Sequence, residues 1–423
     1  MRRMSSGRSL PTGRWGRLAR LAAVGARTGA GLLSTGEGAA EYAAEVLGTM
    51  RGLAAKAGQT LSYVDGIFPE AQREQYQAAL AALRAAAPRS SWSEICALIE
   101  AELGSPIAEL FAAIEPEPFA SASIGQVHRA RTHQGQAVAV KVQHPGVAAA
   151  IDSDLSNARA LKSVLSRLAP RSVDVEAVFA EVSLRLREEL DYALEAEHQR
   201  AFAAFHAGDP TIRIPAVIGE CSARRVLTSE LASGDALELA ATRPEATRRS
   251  YAETLWRFVF KSNLIAGMFN ADPHPGNYLF DAGGSVTFLD FGCVQPLDPG
   301  LLPSARALHW AAIERDETAF ERAVIAHLGL RGGEYQRLAV GYSRLCFEPL
   351  FASPFRLTRE YSASLVSEIQ RLKKAMWSKD KSFVQLPPTL ILLNRLQFGF
   401  YSVLARLDVS VDYASLERSF LDR

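Results

Sequence analysis

Residues Phe269 to Phe280 read FNADPHPGNYLF, an Asp, a His and an Asn set between two prolines and a glycine. Each proline removes an amide donor and fixes its own φ, so no continuous helix runs through His274. The residue before each proline is pushed towards extended backbone as well. The spacing predicts a rigid loop between an apolar approach (Leu264, Ile265, Met268, Phe269) and an apolar exit (Tyr278, Leu279, Phe280). Rigid polar loops anchored by apolar elements are favoured places for function.

Bulk composition narrows the class. The chain has 423 residues, enough for two or three domains, with 48% hydrophobic and 22% charged residues and a formal net charge of +1. That balance gives no support to nucleic-acid binding. The cysteines (Cys96, Cys221, Cys293, Cys346) are far apart and form no CxxC pair, so neither a structural zinc nor a disulfide framework is expected, and a reducing, cytoplasmic setting is the default. No apolar run reaches membrane-spanning length; LPPTLILLNRLQFGFYSVLARL is interrupted by prolines, Asn394 and Arg395 and reads as a core helix. Residues 1–33 differ, with seven arginines and no acidic residue. They read as a disordered basic tail, as a helix in peripheral contact with an anionic membrane, or as an organelle transit peptide.

Residues 38–114 are Ala-, Leu- and Glu-rich at helical spacing, and in SWSEICALIEAEL Ser91 with Glu94 forms a capping-box signature. VHRARTHQGQAVAVKVQHP then reads as a hairpin turning at Gln134-Gly135. A long helical span is expected from Val147 to Ala207, broken near Pro170, followed by the strand RVLTSEL and a mainly helical remainder in which SVTFLD enters Asp290-Phe291-Gly292.

Four separated features combine into one chemistry. Lys141 ends the strand AVAVK; alone it reads as a surface lysine, yet it matches the strand lysine that holds nucleotide phosphates in kinases. The acidic segment REELDYALEAEHQ offers carboxylates to orient that lysine, and spacing does not choose between Glu189 and Glu195. Asp272 and Asn277 stand five apart, the spacing of a kinase catalytic loop, where the Asp engages the acceptor and the Asn binds metal. Asp290-Phe291-Gly292 follows after a strand, as a metal-binding element should. Asn277 and Asp290 are therefore candidate Mg²⁺ ligands, Lys141 a phosphate ligand, Asp272 the acceptor-facing carboxylate, and Glu230 marks a hinge offering backbone groups to adenine. His128, His144 and His274 lie near these residues without zinc spacing and are expected to be structural.

Further patterns resemble the UbiB/AarF (ADCK-type) atypical kinase family: Lys56-Ala57-Gly58-Gln59 is similar to its KxGQ motif, ASASIGQVHRA to its alanine-rich nucleotide loop, Glu189-x-Asp191 to its ExD motif, and ADPHPGN to its catalytic loop. On residues alone, Lys56 reads as an exposed helix lysine and Gly58 as a packing notch. The resemblance, close over about residues 40–300, implies an α+β, bilobal protein-kinase-like fold with a helical extension. Its divisions would be a basic tail (1–37), the KxGQ extension (38–115), an N-lobe (116–234) and a mainly helical C-lobe (235–423). It implies an ATP- and Mg²⁺-dependent kinase or ATPase serving isoprenoid quinone or other lipid metabolism, with phosphorylation of proteins in trans disfavoured. A nucleotide-binding pseudokinase scaffold is the alternative. Ala120, Ser121, Ala122 and Ser123 would cover the nucleotide, while Lys56 and Gln59 would reach the site and meet Glu189 and Asp191. Two departures stand out: Ser121 interrupts the usual alanine run, and Asn270 replaces a histidine common two positions before the loop Asp.

Overall fold

The computed structural model describes residues 90–121, 124–153, 155–156, 175–376 and 399–421. The basic tail, Lys56, Gln59, Ala122, Ser123, Pro170 and most of the extension lie outside them. The chain divides into two compact units. Of one, the described residues are 146–153 and 155–156, helical from Val147. The other, which takes in Ser90–Pro145 and Leu168–Arg423, carries everything that follows.

It opens with α1 (Trp92–Leu103), started by the expected capping box of Ser91 with Glu94 and stopped by Gly104 in left-handed backbone. A five-stranded antiparallel sheet follows, built from β1 (Ala113–Ile114), β2 (Ala120–Ser121), β3 (Gly125–Arg131), β4 (Ala137–Gln143) and β6 (Val226–Glu230) in the order β1-β3-β4-β6, with β2 against β3. The β3–β4 hairpin turns at Gly135, whose φ of 86° suits glycine. Alternation along β4 decides what the sheet presents. Val138, Val140 and Val142 are buried against Ile95, Leu98 and Ile99 of α1, so Lys141 is left on the opposite face. The helix that the sequence reading grouped with the extension thus packs on this sheet.

The expected continuous helix over the acidic segment is two helices. α2 (Val175–Glu189) ends and α3 (Tyr192–His206) begins at Asp191, which leaves helical backbone at ψ 89° and caps the amides of Ala193 and Leu194. An Asp that can cap competes with continuation of the helix, and here the cap prevails. Asp191 and Glu195 are therefore a cap and a first-turn residue, not two positions on one continuous helical face.

The remainder is mainly helical, beginning with α4 (Glu245–Lys261), around a large core containing Trp256, Tyr251, Phe258 and Phe400. Two small sheets interrupt it. β7 (Met268–Asn270) pairs antiparallel with β10 (Val294–Pro296), while β8 (Tyr278–Phe280) pairs antiparallel with β9 (Val286–Phe288), which also runs parallel to β5 (Ile212–Arg213). The FNADPHPGNYLF loop joins β7 to β8, and Asp290-Phe291-Gly292 joins β9 to β10. Because both pairs of flanking strands are hydrogen-bonded, the two loops must lie side by side. No helix among the described residues is long and apolar enough to cross a membrane.

Candidate active site

Lys141 Nζ lies 2.7 and 2.8 Å from the two carboxylate oxygens of Glu195 and 3.6 Å from Asp290 Oδ2. The sheet supplies the lysine, the first turn of α3 the glutamate, and the β9–β10 connection the aspartate. The sequence left Glu189 and Glu195 as alternatives; Glu195 is the partner. Burial lowers the affinity of the ammonium for its proton, but Asp290 and Glu195 outweigh it and hold the Lys141 pKa well above its ordinary value. Burial raises Glu195 to about 7 against the pull of Lys141, with Asp290 adding to the rise. One cation thus serves two carboxylates.

One face of α3 organises the Asp290 turn. Glu195, His198 and Phe202 recur at positions three and seven along the helix. A Cβ on Gly292 would lie 3.4 Å from Glu195 Oε2, the His198 ring is 3.3 Å from the Phe291 carbonyl, and the Phe202 ring packs at 5.2 Å on the fully buried Phe291. Asp290 Oδ1 accepts from the Gly292 amide at 2.9 Å.

The loop of Asp272 is closed on itself. Asn277 Nδ2 donates to both the carbonyl and Oδ2 of Asp272, each at 3.1 Å. Pro275–Asn277 forms a single 3₁₀ turn, and His274 Nδ1 accepts from the Gly276 amide at 3.0 Å. His274 therefore frames the loop. Main-chain bonds then pin it to its neighbour: Ala271 donates to the Cys293 carbonyl and Leu289 to the Asn277 carbonyl. Asn270 adds a side-chain bridge, donating to the Asp290 carbonyl and accepting from the Asp272 amide.

The other candidates are more dispersed. Ala120 and Ser121 form β2, exposed at the sheet edge opposite Val127 and Gln126. Glu189 closes α2, half-buried. Asp191 is 3.4 Å from Arg224 Nε in addition to its capping bonds. Glu230 ends β6, with its amide donating to the Ala216 carbonyl and its carboxylate accepting from the Ala216 amide. His128 is buried between Gln126 and the Glu115 carbonyl, and His144 bonds Ser90. Both are structural partners of the sheet.

Sequence reasoning missed three residues. As a departure from the family histidine, Asn270 puts the supporting hydrogen bond of the loop Asp in doubt, yet its side chain makes that bond to the Asp272 amide, as an Asn beside a loop can. Tyr192 follows the ExD stretch, and its ring lies 4.9 Å from Lys141 Nζ. Gly399 approaches the loop so closely that a Cβ there would lie 2.4 Å from Pro273 Cγ; nothing in QFGF announces that contact.

The family model for the ABC1 atypical kinase-like domain matches residues 82–324. The rat mitochondrial atypical kinase COQ8B is 37% identical over 264 residues, 60% of this chain and 48% of that protein. The chloroplastic protein Activity of BC1 complex kinase 7 of Arabidopsis thaliana is 32% identical over 265 residues, 62% of this chain and 37% of that one. The chain thus spans about half or less of the length of these curated relatives. A solved structure of Mycobacterium tuberculosis Rv3197 with erythromycin superposes with a TM-score of 0.65 at 29% identity, covering 86% of this chain and 90% of that one.

Proposed function

The chain belongs to the ABC1 atypical kinase-like family, and from that premise we propose that it binds ATP with Mg²⁺ and transfers the terminal phosphoryl group. The observation that carries this reading is the contact of Lys141 with Glu195 and Asp290, beside the closed Asp272–Asn277 loop. Phosphoryl transfer asks a protein for in-line positioning and positive charge around the phosphoryl oxygens rather than for covalent chemistry. Lys141 would contact the α/β-phosphates, with Glu195 fixing its direction. Asp272 would orient or deprotonate the acceptor, and the stretch from Ala120 to Ser123 would cover the phosphates. The backbone near Glu230 would meet adenine; Lys56, Gln59, Glu189 and Asp191 would complete the site from the KxGQ side.

The donor set fits a hard cation. Asn277 spends its amide nitrogen on Asp272, which leaves its oxygen as the ligating atom, and Asp290 adds a carboxylate. Among the described residues no cluster of three or more His, Cys, Asp or Glu could hold a metal alone. A Mg²⁺ that completes its shell with phosphate and water oxygens needs no such cluster. When bound, that ion neutralises charge on the phosphates.

The acceptor is best read as water or a small molecule. The helical turn from Gly399 abuts Pro273 of the loop, which restricts the approach of a folded protein to Asp272. The UbiB-type resemblance supports a reaction that serves isoprenoid quinone or other lipid metabolism. Residues 1–33 supply the peripheral membrane contact, or an organelle address of the kind the names of the mitochondrial and chloroplastic relatives carry.

Phosphate release by the purified protein with Mg-ATP, with and without anionic vesicles, tests this reading against Asp290→Ala. Equal release by both proteins would remove the enzymatic claim. Tight nucleotide binding without turnover would establish the scaffold alternative instead.

A further inference from the structure

Glu195 and His198 are three apart on α3 and share one face of that helix. Glu195 holds Lys141. His198 has a different partner. A carbonyl oxygen only accepts, so the imidazole donates from Nδ1 to the Phe291 carbonyl, at 3.3 Å. That carbonyl belongs to the same peptide unit as the Gly292 amide, which donates to Asp290 Oδ1 at 2.9 Å. A trans peptide is planar, with its carbonyl and its N–H pointing in opposite directions. A donor that fixes the oxygen therefore fixes the direction of the N–H as well.

The constraint matters at this position. A glycine on one side lets a peptide plane rotate with little steric resistance. Rotation here would withdraw the Gly292 donor from Asp290 Oδ1. With Oδ1 held, Oδ2 is the oxygen that stands 3.6 Å from Lys141 Nζ. A Cβ on Gly292 would lie 3.3 Å from Asp290 Oδ1 and 3.4 Å from Glu195 Oε2, so this peptide sits close against both carboxylates. Resting on the Mg-ATP reading above, we propose that His198 is a positioning residue that holds the Phe291–Gly292 peptide and, through it, the Asp290 carboxylate in the orientation that serves the cation. One helix then sets two ligands, the phosphate-facing lysine through Glu195 and the metal-facing carboxylate through His198.

Three variants of the full chain separate positioning from packing. His198→Phe keeps a flat ring and deletes the donor, and His198→Ala deletes both. His198→Asn deletes the ring but keeps an N–H donor bonded to Cγ, where Nδ1 stands. Calorimetry gives the affinity of each for a non-hydrolysable ATP analogue, with Mg²⁺ and with EDTA. Removing a group that orients a metal ligand weakens metal-dependent binding, here by about tenfold. The Phe and Ala variants should show that loss in Mg²⁺ and none in EDTA, while the Asn variant stays close to wild type. A packing role reverses the order, with Phe close to wild type and Asn as weak as Ala, and that result would overturn the assignment. So would losses of equal size in Mg²⁺ and EDTA, or wild-type affinity from all three variants. If the wild type itself gains no affinity from Mg²⁺, the Mg-ATP reading fails and this assignment falls with it.

Discussion

Asn270 donates through Nδ2 to the main-chain carbonyl of Asp290 at 2.5 Å. Its Oδ1 accepts from the Asp272 amide at 3.1 Å. One short side chain therefore ties the loop of the acceptor-facing candidate to the turn of the metal-binding candidate. The histidine common at this position in the resembled family would also offer one donor and one acceptor when neutral; a primary amide supplies both without a protonation choice.

Asn270→Ala removes both bonds and leaves a half-buried amide and a carbonyl without them. A stability loss on the order of 1–3 kcal/mol is expected. Turnover of ATP should fall at least tenfold, because the two loops lose their common register, while nucleotide affinity changes little. Asn270→His should recover part of the turnover. Wild-type rates from the alanine variant would show that the main-chain bonds alone hold the loops.

Glu195→Gln keeps the volume of the side chain and removes its charge. Lys141 is then left with Asp290 at 3.6 Å as its only carboxylate contact among the described residues. Loss of a partner from a buried, hydrogen-bonded pair costs about 3–5 kcal/mol in the worst case, and the amide oxygen and Asp290 should limit this to about 1–3 kcal/mol. Calorimetry should show weaker Mg-nucleotide binding, with Glu189→Gln leaving the Lys141 pairing intact. A Glu195→Gln variant that binds and turns over ATP like wild type would mean that Lys141 needs no orienting carboxylate.

Much of this site was legible because its residues sit at fixed spacings on short elements. Asp272 and Asn277 are bridged within one turn, and the β3–β4 hairpin with the Ser91 cap follows from local backbone preferences. Contacts made across the fold were not legible. Glu189 and Glu195 could be separated only by the helix break at Asp191, where capping competes with continuation and sequence periodicity is uninformative. The closeness of Gly399 to Pro273 depends on how the C-terminal helices pack, 126 positions along the chain. The KxGQ residues and Ala122-Ser123 fall outside the described residues, so their proposed part in the site rests on the resemblance.

Stability should vary with pH through His206. Its Nε2 lies 2.7 Å from Ser262 Oγ, which itself donates to the Phe258 carbonyl, so Nε2 carries the proton and Nδ1 is a bare lone pair with no partner among the described residues. Burial first, then Lys261, lowers the pKa from 6.5 to about 4. Between those values the unfolded chain binds a proton that the folded chain refuses. The contribution is therefore fully present above pH 6.5 and is lost as pH falls through about 4, on the order of 3 kcal/mol in total. Glu195 acts in the opposite direction, its raised pKa favouring the folded state at low pH. Urea midpoints of wild type and His206→Gln at pH 7 and pH 5 isolate the histidine, and the variant should lose less stability on acidification. Parallel losses in both proteins would place the titration elsewhere.

Gly399→Ala tests the packing of the C-terminal helical turn against the loop. The added methyl would meet Pro273 Cγ at 2.4 Å, with Cβ and Cδ of the same ring at 3.4 and 3.6 Å. A proline ring cannot swing aside as a long side chain does, so the backbone of one element has to move. Overpacking of this kind costs about 1–3 kcal/mol, which the thermal midpoint should register. The displacement falls one residue from Asp272 and away from the residues proposed to contact the nucleotide, so ATP turnover should drop more than nucleotide affinity. Pro273→Ala in the Gly399→Ala background relieves the clash and should restore part of the midpoint. If the single variant matches wild type in both midpoint and turnover, the helical turn does not set the position of the loop, and restricted access to Asp272 no longer supports a small acceptor.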